Sequence, residues 1–196
     1  HANPLKGKNP PGSIGLPLPG VEARIVDPVE GENELPVGAI GELIMRSPTI
    51  MQGYWNMPNE TANSLRDGWL YTGDIARMDE DGFFYIVDRK TDMVLVSGFN
   101  VYPAEVEEAI MQHPGVLEVG VVGVPDEATA EAVRAYVVKS DPDLTEEALR
   151  EHCRQYLTAY KVPKQIIFRD ELPKTPIGKV LRKDLRAEAL RELGRA

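Results

Sequence analysis

Cysteine is almost absent from these 196 residues. Cys153 stands alone, which excludes an internal disulfide framework and a cysteine-rich zinc site. It falls on the apolar stripe of a helical segment, so a buried, inert thiol is expected there rather than a nucleophile. Long hydrophobic runs are missing too. No stretch approaches the ~18 apolar residues of a membrane span, and the first residues lack a charged-then-apolar signal pattern. The longest apolar segments, such as Val119 to Val124, have the length of strands. Positive charge is in deficit, with 22 Lys and Arg against 31 Asp and Glu for a net charge of −9. That balance argues against a grip on a nucleic-acid backbone and against anionic lipid surfaces. It leaves room for a small anion, which a few local cations and backbone N–H groups can hold. A Gly-x-x-x-x-Gly-Lys-Ser/Thr phosphate loop is also lacking. What is present is ordinary globular material, 42% hydrophobic and 27% charged, enough for a sizeable core.

The first twenty residues are dense in turn formers (Pro10-Pro11-Gly12, Gly15-Leu16-Pro17, Pro19-Gly20) and read as a loop running into a sheet. With His1 in place of an initiator methionine, they suggest a piece of a longer chain. Strands are expected at Val21 to Val26 and Gly41 to Arg46, and a short helix at 58–66 after Pro58. Ile75 to Met78 and Phe83 to Val87 flank Asp79-Glu80-Asp81-Gly82, a hairpin signal. Beyond Asp88-Arg89-Lys90 the pattern changes. A strand at Met93 to Val96 precedes a helix opened by Pro103, with Val106, Ala109, Ile110 and His113 on one face. Two apolar strands follow, Val116 to Val124 and Ala132 to Val138. Thr145 then caps a helix whose core face is Leu149, Cys153, Tyr156 and Leu157. A strand at Gln165 to Phe168 and a charged helix from Val180 to Leu193 complete the chain. The fold class expected is α+β, a β-rich segment followed by a small α+β domain. Its parts are 1–88 (the end of a larger domain), a hinge at 89–92, and a mobile domain at 93–196.

Four segments stand out, three of them joining glycine to a charged or hydroxyl residue at the end of an element and one a charged run. Tyr71-Thr72-Gly73-Asp74 offers a carboxylate that can accept both hydroxyls of a vicinal diol, as on a ribose. Asp88-Arg89-Lys90-Thr91-Asp92 is a charged run where two folding units meet. Val96-Ser97-Gly98-Phe99-Asn100 ends a strand in a glycine that lets another group approach the backbone. Gly178-Lys179 places a compact ammonium after a glycine turn, suited to a phosphate or carboxylate. Taken singly, each is more simply a turn aspartate, a solvated linker, an ordinary turn or a surface lysine.

Their order and spacing say more. Tyr71-Thr72-Gly73-Asp74, then Asp88 through Glu107, then Pro173-Lys174-Thr175-Pro176-Ile177-Gly178-Lys179 together resemble the adenylate-forming superfamily. That superfamily holds the acyl-CoA synthetases, the adenylation domains of peptide synthetases and the beetle luciferases. The likeness is greatest to bacterial long-chain fatty-acid–CoA ligases and extends to Gly12-Ser13-Ile14-Gly15-Leu16-Pro17 and Gly53-Tyr54-Trp55. The resemblance implies that Asp74 and Arg89 bind the ribose of ATP or AMP, and that Lys179 is the catalytic lysine bridging carboxylate and α-phosphate. It also implies that Ser97, Gly98 and Phe99 line the coenzyme A tunnel and that Thr91 is the hinge. Relatives usually carry lysine or aspartate at the hinge, and some carry a basic residue where this chain has Asp126-Glu127-Ala128-Thr129. The reaction implied is ATP-dependent thioesterification of a fatty acid with coenzyme A, in a cytoplasmic or membrane-peripheral enzyme. The Mg²⁺ ligands and the triphosphate cradle are expected upstream, in a missing N-terminal portion, so this segment alone is expected to be inactive. Other readings of the residues are an aryl–CoA ligase, a peptide-synthetase adenylation domain, or a non-enzymatic interaction module.

Overall fold

The computed structural model describes residues 1–194. The chain divides into two compact units, His1–Thr91 and Asp92 onward.

In the first unit, the alternation of Glu22 to Val26 turns Ile25 inward, and a twisted antiparallel sheet forms around it. Its strands are β1 (Glu22–Val26), β2 (Gly41–Arg46), β3 (Leu65–Arg66), β4 (Trp69–Met78) and β5 (Phe84–Arg89). The order is β1-β2-β4-β3, and β5 pairs with β4. Ile25, Leu43, Ala76 and Phe84 form the buried centre. The Gly15 backbone bridges to Phe84, and its φ of 95° holds it so close to Ala2 that a Cβ would collide with that residue's carbonyl. Ser13 Oγ donates to Phe84 O (3.1 Å) and accepts from Gly15 N (2.8 Å), so Gly12 to Pro17 serves to seat the N-terminal segment on β5. Helix α1 spans Pro58–Ser64; the end of the expected helix is instead β3, paired to β4. β4 also starts at Trp69, six residues before the expected hairpin arm, because β2 and β3 both give it partners there.

The second unit is built on two long strands, β8 (Val116–Asp126) and β9 (Ala130–Lys139), paired antiparallel. β6 (Val94–Val96) pairs with β7 (Phe99–Val101) and touches β9 at Ala130, while β10 (Gln165–Arg169) lies parallel to β9. Helices α2 (Pro103–Met111), α3 (Glu146–Tyr156) and α4 (Arg182–Glu192) cover the sheet. Side chains alternate across a strand, and here both sides are buried. Val119, Val121, Val133, Ala135 and Val137 meet Val94, Val96, Val101, α2 and α3 on one face. Val122, Val124, Ala132, Tyr136 and Val138 meet Leu172, Leu185 and Ala189 on the other, with Val180 packed against them.

Three details differ from the sequence reading. His113 lies beyond the end of α2, where its Nδ1 accepts from Gly115 N (3.1 Å). Tyr156 is 54% exposed and rests its ring 4.9 Å from His152 instead of entering the core, since Leu149, Cys153 and Leu157 already fill that side of α3. The strand expected to end at Gly98 is a hairpin. Ser97 (φ 50°) and Gly98 (φ 85°) make a two-residue turn of mirror-image type, which reverses the chain into β7.

Candidate functional site

The first unit gathers Asp74 and Arg89. They face each other across the β4–β5 pair and their side chains form an ion pair. β4 carries two extra residues opposite Leu43, since Glu42 pairs with Ile75 and Ile44 with Tyr71. Within that bulge Thr72 Oγ1 donates to Leu43 O (2.7 Å) and accepts from Asp74 N (3.1 Å). Gly73 adopts φ 71°, a conformation that strains any other residue. The bulge lifts Asp74 out of the regular pleat and leaves its carboxylate 28% exposed. Arg89 occupies Oδ1, and Oδ2 has no partner among the described residues. A rigid carboxylate with one oxygen open and a guanidinium alongside is well matched to a vicinal diol. Beneath it lies Glu42, a residue the sequence reading passed over, whose side chain is 3% exposed. It accepts from Gly73 N (3.2 Å) and Lys90 Nζ (2.6 Å). A glutamate opening an apolar strand was the only available signal.

The second unit holds the other candidates on two sides of one sheet. Lys179 sits in a tight loop that bridges Lys174 to Val180. Thr175 fixes it twice, donating its N–H to Lys179 O (2.7 Å) and accepting at Oγ1 from Lys179 N (3.0 Å). Gly178 supplies the positive φ, 83°. The backbone is thus pinned while the exposed ammonium has no partner among the described residues. This loop is anchored by Leu172 and Val180, both on the α4 side of the sheet. Ser97, Gly98 and Phe99 belong to the β6–β7 hairpin, which is anchored by Val94, Val96 and Val101 on the α2/α3 side. Ser97 N donates to Thr129 O (2.8 Å). A Cβ on Gly98 would meet nothing within 4 Å, so within this unit it is the backbone angle, not crowding, that calls for glycine. Phe99 stacks on Tyr160 with centroids 4.7 Å apart.

Beside that hairpin a cleft of about 430 Å³ is lined in part by Val96, Thr129, Tyr160, Arg150, Arg154 and Lys164. Asp126, bonded to the lining residues Thr129 and Lys164, is a structural acid. It accepts from Ala128 N, Thr129 N and Thr129 Oγ1 and pairs with Lys164, and the Lys164 hydrogen bond above all holds its carboxyl down to about 2. Thr91 is exposed, the middle residue of a single 3₁₀ turn, Lys90–Asp92, and the last residue of the first unit. Arg182, at the start of α4, joins Asp92 (3.1 Å) to Glu107 (2.6 Å). Among the described residues no three His, Cys, Asp or Glu side chains converge on a point that fits a metal ion. No described helix is long and apolar enough to cross a membrane.

Residues 1–55 match the AMP-binding enzyme family and residues 105–179 match the AMP-binding enzyme C-terminal domain. The chain belongs to the AMP-binding enzymes. It is 59% identical over 178 residues to a long-chain-fatty-acid–CoA ligase of Escherichia coli, covering 91% of this chain and 31% of that protein. It is 51% identical over 189 residues to one of Bacillus subtilis, covering 96% and 34%. Among solved structures, ATP-bound MatB from Rhodopseudomonas palustris superposes with a TM-score of 0.87 at 40% identity, covering 97% of this chain and 38% of that one. The o-succinylbenzoate CoA synthetase of Bacillus subtilis, holding its acyl-adenylate, gives 0.77 at 35%, covering 89% and 35%. The chain spans about a third of the length of the curated relatives it matches.

Proposed function

We propose that this AMP-binding chain is the C-terminal third of an ATP-dependent long-chain fatty acyl–CoA synthetase, working with an upstream portion that supplies the triphosphate cradle, the acyl pocket and the Mg²⁺ ligands. In the first half-reaction a carboxylate oxygen attacks the α-phosphorus of ATP and pyrophosphate leaves. Negative charge then gathers between the carboxylate and the phosphoryl oxygens, where the exposed ammonium of Lys179 stabilises it. A preorganised donor of this kind contributes roughly 10²–10³ in rate. Asp74 and Arg89 hold the ribose hydroxyls and fix the α-phosphorus relative to the acid. In the second half-reaction the coenzyme A sulfur attacks the acyl carbonyl carbon, the thiol proton is lost, and AMP leaves. Ser97, Gly98 and Phe99 line the approach of the pantetheine arm. The cleft beside them offers Arg150, Arg154 and Lys164, each now paired with a carboxylate, as cations that could turn to the coenzyme A phosphates.

One observation carries this reading: the lysine loop and the glycine hairpin are rooted on opposite faces of one sheet. They cannot both address one acyl-adenylate in a single pose, so the small unit must turn between steps, about Thr91. Thr91 brings no charge to pair differently in the two poses. The Arg182–Asp92 contact beside it lies within the second unit and travels with it. A fatty acid is favoured over an aryl substrate because identity to long-chain ligases, 51–59%, exceeds the 35% to the o-succinylbenzoate enzyme. Dependence on ATP and coenzyme A supports a cytoplasmic or membrane-peripheral enzyme. The test uses the full-length synthetase. Lys179→Ala is expected to lower acyl-adenylate formation by 10²-fold or more while thioester formation from supplied acyl-adenylate persists, and Asp74→Ala is expected to weaken ATP in the first step and adenylate in the second. Equal loss of both steps in Lys179→Ala, or unchanged nucleotide affinity in Asp74→Ala, refutes the assignment.

A further inference from the structure

The Asp74–Arg89 pair is flanked in sequence by Gly73 on one strand and Lys90 on the other, and both neighbours are tied to the same buried carboxylate. Glu42 lies on β2, opposite Ile75 and directly below the bulge. Its two oxygens hold different donors, Oε1 accepting the Gly73 N–H at 3.2 Å and Oε2 the Lys90 ammonium at 2.6 Å. The bulge turns the half-buried Gly73 N–H away from the ladder, and Oε1 supplies the acceptor that it would otherwise lack. A carboxylate 3% exposed needs charge compensation, and Lys90, itself 32% exposed, provides it. The same two contacts fix the separation of β4 and β5 where Asp74 and Arg89 emerge.

We propose that Glu42 is a positioning residue for nucleotide binding: it orients the Asp74–Arg89 pair toward the ribose diol and anchors Lys90, the residue before the Thr91 turn. The proposal rests on the nucleotide-site reading above. Glutamine at 42 keeps the volume and can still accept from Gly73, but its amide NH₂ then confronts the Lys90 ammonium, donor against donor. Replacing Lys90 by methionine removes that conflict. In the full-length synthetase, Glu42→Gln is expected to raise KM for ATP about tenfold in acyl-adenylate formation with kcat within threefold of wild type. The Glu42→Gln/Lys90→Met pair is expected to bring KM back to within threefold, a rescue that a simple loss of stability would not show. Ile14→Ala, which truncates a half-buried side chain packed against the core of the same unit, is expected to lower the melting temperature and leave KM for ATP unchanged. Hydrogen exchange followed by mass spectrometry gives a readout that needs no turnover: Glu42→Ala is expected to speed exchange of the Gly73 amide at least tenfold. If the wild type makes acyl-adenylate and Glu42→Gln leaves KM for ATP within twofold, or the double variant shows no rescue, the positioning role is wrong while the synthetase reading stands. If the wild type makes no acyl-adenylate, the synthetase reading falls, and the Gly73 exchange alone decides whether Glu42 holds the bulge.

Discussion

The two-sided sheet can be probed with one methyl group at a time. Gly120 and Gly123 lie three residues apart on β8 and look to opposite faces. A methyl at Gly120 would fall 2.7 Å from Leu185 Cδ1 and 2.9 Å from Val180 Cγ1. Those atoms carry α4 and the loop that presents Lys179. A methyl at Gly123 would fall 2.9 and 3.0 Å from the two Val94 methyls, which carry the β6–β7 hairpin. Ordinary carbon contacts lie at about 3.5–4.0 Å, so each neighbour must retreat by roughly 0.5–1 Å. Overpacking of this size costs about 1–3 kcal/mol. For a unit of this size each kcal/mol lowers the melting temperature by about 4–8 °C.

Both Gly120→Ala and Gly123→Ala should therefore destabilise the second unit to a similar degree, yet differ in which reaction step they damage. In the full-length synthetase, Gly120→Ala is expected to slow acyl-adenylate formation about tenfold, because Val180 is covalently next to Lys179. Thioester formation from supplied acyl-adenylate should stay within threefold. Gly123→Ala is expected to show the reverse, because Val94 and Val96 set the position of the Ser97–Gly98 turn. The assay is pyrophosphate release for the first step and thioester yield from synthetic acyl-adenylate for the second, with melting curves run in parallel. If the two variants depress the two steps in the same ratio, the faces are not functionally separate and the division of labour between them fails.

Two further expectations concern titration. Burial pushes the Cys153 thiol up to about 11, from 9.0 when unhindered; the unfolded chain then releases its proton first, so stability is expected to fall as pH rises from about 9 to 11, and Cys153→Ala should flatten that slope in pH-dependent melts. The same thiol should resist an aromatic disulfide reagent at pH 8 until denaturant is added, and rapid reaction of the folded protein would contradict its burial. The Lys164 hydrogen bond, with help from Thr129, lowers the Asp126 carboxyl from 3.8 to about 2. Its contribution is therefore present above about pH 4 and lost as pH falls toward 2. Asp126→Asn should reduce the difference in melting temperature between pH 5 and pH 2.5; an unchanged difference would mean that the Lys164 pair does not form in solution.

Local signals are legible wherever the chain's own pattern determines the outcome. Thr145 caps α3 as its side chain and the following acids suggest, accepting from Ala148 N at 3.2 Å, and the buried run Val119 to Val124 is a strand. The two-faced burial of β8 and β9 hides their alternation, since apolar residues on both sides erase the period of two. Ser97-Gly98 reads as a terminus because the three-residue strand after it is too short to announce itself. Tyr156 shows the same limit in a helix, where periodicity offers four core positions and neighbours decide which three are filled.

The candidate site divides in the same way. Asp74 and Lys179 stand out because glycine beside a charged residue is readable within a few positions, and Arg89 because it lies in a charged run between two patterns. Glu42 does not, because its meaning arises only when β2, β4 and β5 are side by side and its carboxylate lies under residues 31 and 48 positions away. The bulge that presents Asp74 and the turn that presents Lys179 each need a glycine, which leaves a mark in the sequence. A residue that holds the presenter needs only to be buried beneath it, and burial of a charge is written in the fold alone. The supporting layer of this site is accordingly to be sought among the buried polar residues, of which Glu42, Asp88 and Arg134 are the ones in the described chain. Arg134 belongs to the second unit and spends its hydrogen bonds there on Gln165, Tyr136 and Glu192, and Asp88 accepts from the Arg89 backbone at 2.8 Å. Glu42 holds the chain neighbour of each member of the Asp74–Arg89 pair, one on either side of the proposed diol site, which is why its substitution should register in nucleotide affinity.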